Sequence, residues 1–99
     1  MGRETVLMKS EEPMSQGQIA TFLHTLADKV SSGTVTLRQG EDELVLALPP
    51  NPVLEIQVEE ELKGGKKARA QGRTRTQRSI EIEISWYEGE EAAGGVELA

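Results

Sequence analysis

The most constraining feature of this sequence is the strict alternation of residues 79–87, which read SIEIEISWY. In an extended chain the isoleucines and the tryptophan point to one side, and the glutamates between them point to the other. Such a period of two predicts a half-buried β-strand with one face on a core and one face in solvent. The inward set consists of Ile80, Ile82, Ile84 and Trp86. The pattern predicts that Trp86 anchors the core, but it identifies no reaction.

A second pattern predicts one amphipathic helix near the N-terminus. Ser15 is a favourable N-cap, and Gln18, three residues later, completes a capping box. Gly33 follows the last apolar residue, where a helix commonly ends. Apolar residues recur between these two ends at spacings of four, three and four, so they form a single stripe. The stripe consists of Ile19, Leu23, Leu26 and Val30.

Besides the strand at 80–86, four other alternating runs predict strands. They lie at residues 4–9, 34–38, 44–48 and 54–59. The run at 44–48 is apolar on both faces, which favours a central strand. The order β-α-β-β-β-β predicts a two-layer α+β fold, in which one amphipathic helix packs on a four- to five-stranded, mainly antiparallel sheet. The position of the first strand in that sheet stays open.

Length and composition predict the organisation of the chain. Its 99 residues fit one small domain, which we place at residues 1–87. Residues 88–99 are rich in Gly, Ala and Glu, and they predict a disordered acidic tail. The absence of cysteine excludes disulfides, thiol chemistry and thiolate zinc sites. No run approaches the roughly 18 apolar residues of a membrane helix and the N-terminus does not resemble a signal peptide, so a cytoplasmic protein without membrane contact is expected.

Charge is distributed unevenly along the chain. The net charge is −6, yet residues 63–78 contain 7 of the 11 lysines and arginines and no acid. We therefore predict a basic, flexible loop that could contact a polyanion. Its basic residues are Lys63, Lys66, Lys67, Arg69, Arg73, Arg75 and Arg78. The loop lacks aromatic residues for base stacking, so only weak, salt-sensitive contact with nucleic-acid phosphates is expected.

Acidic side chains should share one face of the sheet if the last two strands form a hairpin. Two interpretations stay open: a solvated face that prevents aggregation, and an interaction surface for a basic partner such as the basic loop of a second copy. Cation binding is a third alternative, because hard cations favour clustered oxygen ligands. This candidate acidic face consists of Glu55, Glu59, Glu81, Glu83 and Tyr87.

The sequence contains no convergent set of catalytic residues. His24, the only histidine, lies about 140° around the helix from Ile19, so we expect it on the solvated side. No second histidine or cysteine completes a zinc site, and the glycines fit neither phosphate-loop nor dinucleotide patterns. We therefore predict no catalytic, cofactor-binding or metal-binding residues, and no enzymatic activity.

Three segments resemble the amphi-Trp domain family, a small prokaryotic domain. These segments are the capped helix 14–28, the strand start Gly33–Leu37 and the closing amphipathic strand 80–86 that ends in Trp86. The resemblance covers roughly residues 4–87 and implies no established activity. The long basic loop departs from the family's shorter connection.

Together these features predict a non-enzymatic interaction or adaptor domain. Its partner is expected to be another protein or a second copy of the chain. The main alternative is a nucleic-acid-associated accessory protein that binds phosphates weakly through residues 63–78.

Overall fold

The computed structural model describes residues 2–89 and has an α+β fold. Its elements are α1 (Gln16–Ser32), β1 (Thr34–Gln39), β2 (Asp42–Ala47), β3 (Val53–Lys63), α2 (Lys66–Ala70) and β4 (Arg75–Ser85). The chain divides into two compact units, Met1–Pro50 and Asn51–Ala99. The single domain at residues 1–87 stays a prediction. Of the predicted tail, residues 90–99 lie outside the described residues.

The structure confirms the predicted helix and both of its ends. The Ser15 side chain accepts a hydrogen bond from the backbone N–H of Gln18, and the Gln18 side chain accepts one from the backbone N–H of Ser15. Gly33 ends α1 in the left-handed conformation, with a φ of 87°. Because only glycine adopts that conformation without a steric penalty, the position of this residue sets the end of the helix.

The first unit is built from α1 and the hairpin of β1 and β2. The two strands are antiparallel, and Val35 lies opposite Leu46 while Leu37 lies opposite Leu44. α1 packs against β1, and Val35 is buried with only 6% of its surface exposed. Apolar residues around it are half-buried, so this small core holds the unit together. They include Leu26, Val30, Leu37, Leu44, Leu46 and Leu48.

Two details of the predicted sheet are wrong for the described residues. Residues 4–9 form no strand; instead, the Lys9 carbonyl oxygen accepts a hydrogen bond from Gln39 Nε2 at 2.9 Å, a side-chain contact rather than a strand ladder. The four strands form two two-stranded sheets rather than one sheet of four or five strands. Among the described strands β2 pairs with β1 alone, and Val45 on its second face is 57% exposed, so β2 is not a central strand there.

The second unit is a long hairpin made of β3 and β4. Each strand has 11 residues, and the antiparallel register runs from Val53 opposite Ser85 to Lys63 opposite Arg75. The predicted loop 63–78 is therefore shorter in the structure: Lys63 lies on β3, Arg75 and Arg78 lie on β4, and α2 lies between the strands. The cross-strand pairing continues into the basic segment as far as Lys63 opposite Arg75.

Candidate interaction surface

One face of the β3–β4 hairpin, which we call the acidic face, collects most of the predicted acidic residues. The register places Glu55 opposite Glu83, Gln57 opposite Glu81 and Glu59 opposite Ser79. Side chains at every second position share a face, so all four predicted glutamates lie on the same side. Gln57 Nε2 donates a hydrogen bond to Glu59 Oε1 on this face. The acidic face comprises Glu55, Gln57, Glu59, Glu61, Glu81 and Glu83.

Both ends of the acidic face place like charges opposite each other. Glu55 lies opposite Glu83 at the open end of the hairpin, and Lys63 lies opposite Arg75 at the closed end. Like charges directly across two strands are destabilising by roughly 0.2–1 kcal/mol per pair. Charge along this face is therefore segregated lengthwise, negative at the open end and positive at the closed end.

The opposite side of the hairpin, which we call the apolar face, is largely exposed. Ile82 opposite Ile56 and Ile80 opposite Val58 keep between 55% and 74% of their surface accessible. The predicted core on this side is not formed within the described second unit, because a two-stranded hairpin has no second layer of its own. Contiguous exposed apolar surface of this kind marks interaction sites in soluble proteins. The apolar face comprises Leu54, Ile56, Val58, Ile80, Ile82 and Ile84.

An ion pair closes the apolar face toward the tip of the hairpin. Arg78 Nε lies 2.9 Å from Glu60 Oε1, and the two residues are directly opposite in the register. Beyond them Leu62 lies opposite Thr76. Both charged side chains are exposed, so the pair contributes at most about 1 kcal/mol to the stability of the hairpin.

The basic residues gather at the closed end, which we call the basic tip and define as residues 63–78. α2 begins after Gly65, whose carbonyl oxygen accepts a hydrogen bond from the Arg69 backbone N–H at 3.0 Å. Gly64 has a φ of 124°, and a Cβ there would lie 3.1 Å from that of Ala68. A glycine is therefore required where the chain turns from β3 into α2.

Ion pairs among residues 2–89 involve two of the seven basic side chains in the tip. Lys63 Nζ lies 3.2 Å from Glu61 Oε2, and Arg78 pairs with Glu60. Lys63 and Arg75 also line an open depression with Thr76 and Gln77. The other five lysine and arginine side chains of the basic tip form no ion pair with a described residue, so they present their charge to solvent. They are Lys66, Lys67, Arg69, Arg73 and Arg75.

The aromatic residues at the end of β4 differ in exposure. Trp86 is half-buried, and its Nε1 lies 3.4 Å from Glu88 Oε2, a long contact. Tyr87 is 83% exposed and follows the last strand residue, Ser85. Trp86 therefore does not lie in a closed core, and Tyr87 is available to a partner near the open end of the hairpin.

The structure brings together no further chemical site in the part of the chain that it describes. His24 is exposed on α1. Within residues 2–89 no group of three or more His, Asp or Glu side chains is placed to hold a metal ion. The described helices also include none that is long and apolar enough to cross a membrane.

The helix and the strands, including the amphipathic strand that precedes Trp86, can be compared with those of known protein families. The family model of the amphi-Trp domain matches residues 1–99. The chain belongs to this family. Searches of curated proteins and of solved structures found no match to this amphi-Trp domain.

Sequence reasoning missed part of the hairpin surface. Glu61 lies on the acidic face, whereas Glu60 lies on the opposite side and pairs with Arg78. The sequence does contain one sign that the strand extends this far, since the alternation of apolar and polar residues continues through Leu62. The cross-strand partners could not be assigned, because they depend on how many residues the turn at α2 takes up.

Proposed function

We propose that this amphi-Trp domain is a non-enzymatic interaction module that binds another macromolecule through the β3–β4 hairpin. One observation carries the proposal. The register sorts a single hairpin into the acidic face, the exposed apolar face and the basic tip. These surfaces offer charge and apolar area to a partner, whereas they bring together no nucleophile with a base.

The exposure of the apolar face supports the need for a partner. A two-stranded hairpin is marginally stable in water unless a third strand or a second layer covers its apolar side. The described second unit contains two strands and the five-residue helix α2, and its apolar side chains are mostly exposed. Binding that covers this side would therefore stabilise the hairpin directly.

The second candidate function is weak binding of nucleic-acid phosphates by the basic tip. The observation that favours it is that five lysine and arginine side chains of the basic tip form no ion pair within residues 2–89. Arginine guanidinium groups bind phosphates with two hydrogen bonds, and Arg69, Arg73 and Arg75 are near one another in the chain. The net charge of −6 opposes association with a long polyanion.

An amide-resolved NMR titration of the labelled protein tests both functions. A short oligolysine peptide is expected to shift the amides of the acidic face, and a variant with Glu59→Gln and Glu81→Gln should lose most of that response. A short mixed-sequence RNA that shifts only residues 63–78, with shifts that vanish at moderate salt, would support the second function instead. Shifts spread equally over α1, or no shifts with either probe, would overturn both.

A further inference from the structure

The outer edge of β4 is a surface that the hairpin itself does not use. Among the described strands β4 pairs with β3 alone, so alternate backbone N–H and C=O groups along its other edge point away from the sheet. Such an edge is a template for another strand. Eleven residues are long enough to form a specific antiparallel ladder.

Charges along β4 make this edge self-complementary. The strand begins with Arg75 and Arg78 and ends with Glu81 and Glu83. Two such strands in antiparallel order place the basic half of one beside the acidic half of the other. β3 lacks this property, because Lys63 is its only basic residue and its acids extend over most of its length. Charge therefore selects β4 over β3 as the edge that accepts a second copy.

We propose that two copies of this chain pair through the outer edges of β4, antiparallel and about a two-fold axis at Ser79. The proposal deepens the proposed function and rests on it, since it names the partner as a second copy. The resulting sheet has four strands, with β3 at each outer edge. A two-fold interface of this kind repeats every contact twice.

The position of the axis follows from the charges. With Ser79 on the axis, Arg75 lies opposite the partner's Glu83, and Gln77 lies opposite the partner's Glu81. Axes at Arg78 or Glu81 would place that residue opposite its own copy, which like charge disfavours. An axis at Ile80 would create no opposite-charge pair directly across the edge.

This pairing also resolves the like charges within each hairpin. Across the four strands, one row of side chains contains Lys63 and Arg75 followed by the partner's Glu83 and the partner's Glu55. Two positive charges thus lie beside two negative charges, and the two-fold axis generates a second, equivalent row. In the pair of copies, each of these two like-charged rungs therefore lies beside a rung of opposite charge.

The apolar faces of the two hairpins lie on the same side of this sheet. Thr76 and its neighbour Leu62 continue the row of the partner's Ile82 and the partner's Ile56. Ile80 lies opposite the partner's Arg78, so the two apolar patches meet only diagonally, at Ile80 and the partner's Ile80, and the side chains at this junction lose part of their contact with water. The burial of apolar surface therefore favours the same pairing as the charges do.

Sedimentation velocity over a range of concentrations, combined with charge reversal, tests the proposal. Arg75→Glu and Glu83→Arg should each weaken self-association about tenfold, because both rows then oppose like charges. An equal mixture of the two variants should recover the wild-type affinity to within about threefold, since each row is again complementary. Within the hairpin, the new carboxylate at position 75 would lie opposite Lys63 and the new guanidinium at position 83 would lie opposite Glu55, so both changes place opposite charges across a rung.

The matched control is Lys63→Glu, which makes the same charge change on β3, one strand away from the edge. It should weaken association far less than Arg75→Glu. A wild type that stays monomeric, variants that associate as tightly as wild type, or a mixture that fails to recover would overturn the proposal. A monomer whose acidic face still responds to oligolysine would overturn self-pairing and leave the proposed function standing; a monomer without that response would lose both.

Discussion

Glu55 on β3 lies directly opposite Glu83 on β4, so the open end of the hairpin holds two carboxylates across one rung. Repulsion between these two carboxylates destabilises the folded chain, and dissolved salt screens that repulsion. The stability of the domain should therefore rise with salt concentration.

Moderate salt should raise the melting temperature of the dilute protein, because it screens the repulsion across the acidic face. Glu55→Gln should raise the free energy of unfolding by about 0.5 kcal/mol and reduce the salt effect. Glu41→Gln, in the turn between β1 and β2, is the matched control and should change little. Thermal unfolding followed by circular dichroism gives both values. A melting temperature that falls steadily with salt would contradict this account.

Val35→Ala should lower the free energy of unfolding by about 2 kcal/mol, since it removes two buried methyl groups beneath α1. Val45→Ala makes the same change on the exposed face of the same sheet and should stay within about 0.5 kcal/mol. Urea denaturation of both variants measures the difference. Equal losses would show that Val35 is not the centre of the core.

Two glycines of the helix should respond in opposite directions to alanine. Gly33→Ala forces a left-handed backbone at a φ of 87° and should cost about 1 kcal/mol, although no atom lies within 4 Å of the added Cβ. Gly17→Ala, inside the first turn of α1, should add about 0.5 kcal/mol because alanine is the better helix former. Helix content and thermal stability are the measurements. A stabilised Gly33→Ala variant would be incompatible with the observed end of the helix.

Trp86 is the only tryptophan, so its fluorescence reports the open end of the hairpin. Because the side chain is half-buried, acrylamide should quench its emission readily in the folded protein. Trp86→Ala should cost less than the roughly 3–5 kcal/mol of a core tryptophan. Strong protection from quenching together with a loss in that range would instead place Trp86 in a closed core.

The sequence determines the local elements of this domain better than their assembly. Ser15, Gln18 and Gly33 specify the helix ends through contacts within a few residues, and those ends were predicted correctly. The alternation at residues 80–84 likewise determines which side chains share a face. The strand predicted at residues 4–9 failed because its alternation is weak and no described strand pairs with it.

Burial was the part that could not be predicted. The isoleucines of β4 alternate as a core face does, yet Ile80 is 74% exposed within the described residues. Periodicity shows that a face is apolar and does not show what covers it. The ion pair of Glu60 with Arg78 was missed for a related reason, since it depends on a register that the turn at α2 sets.

Photo-crosslinking in the cells that make the protein identifies the surface through which it binds a partner. A photoreactive residue replaces Gln57 on the acidic face, and the same residue replaces Gln16 on α1 as the matched control. Discrete crosslinked species are expected from position 57, and few or none from position 16. Crosslinks from α1 alone, or from neither position, would contradict the assignment of the β3–β4 hairpin as the interaction surface.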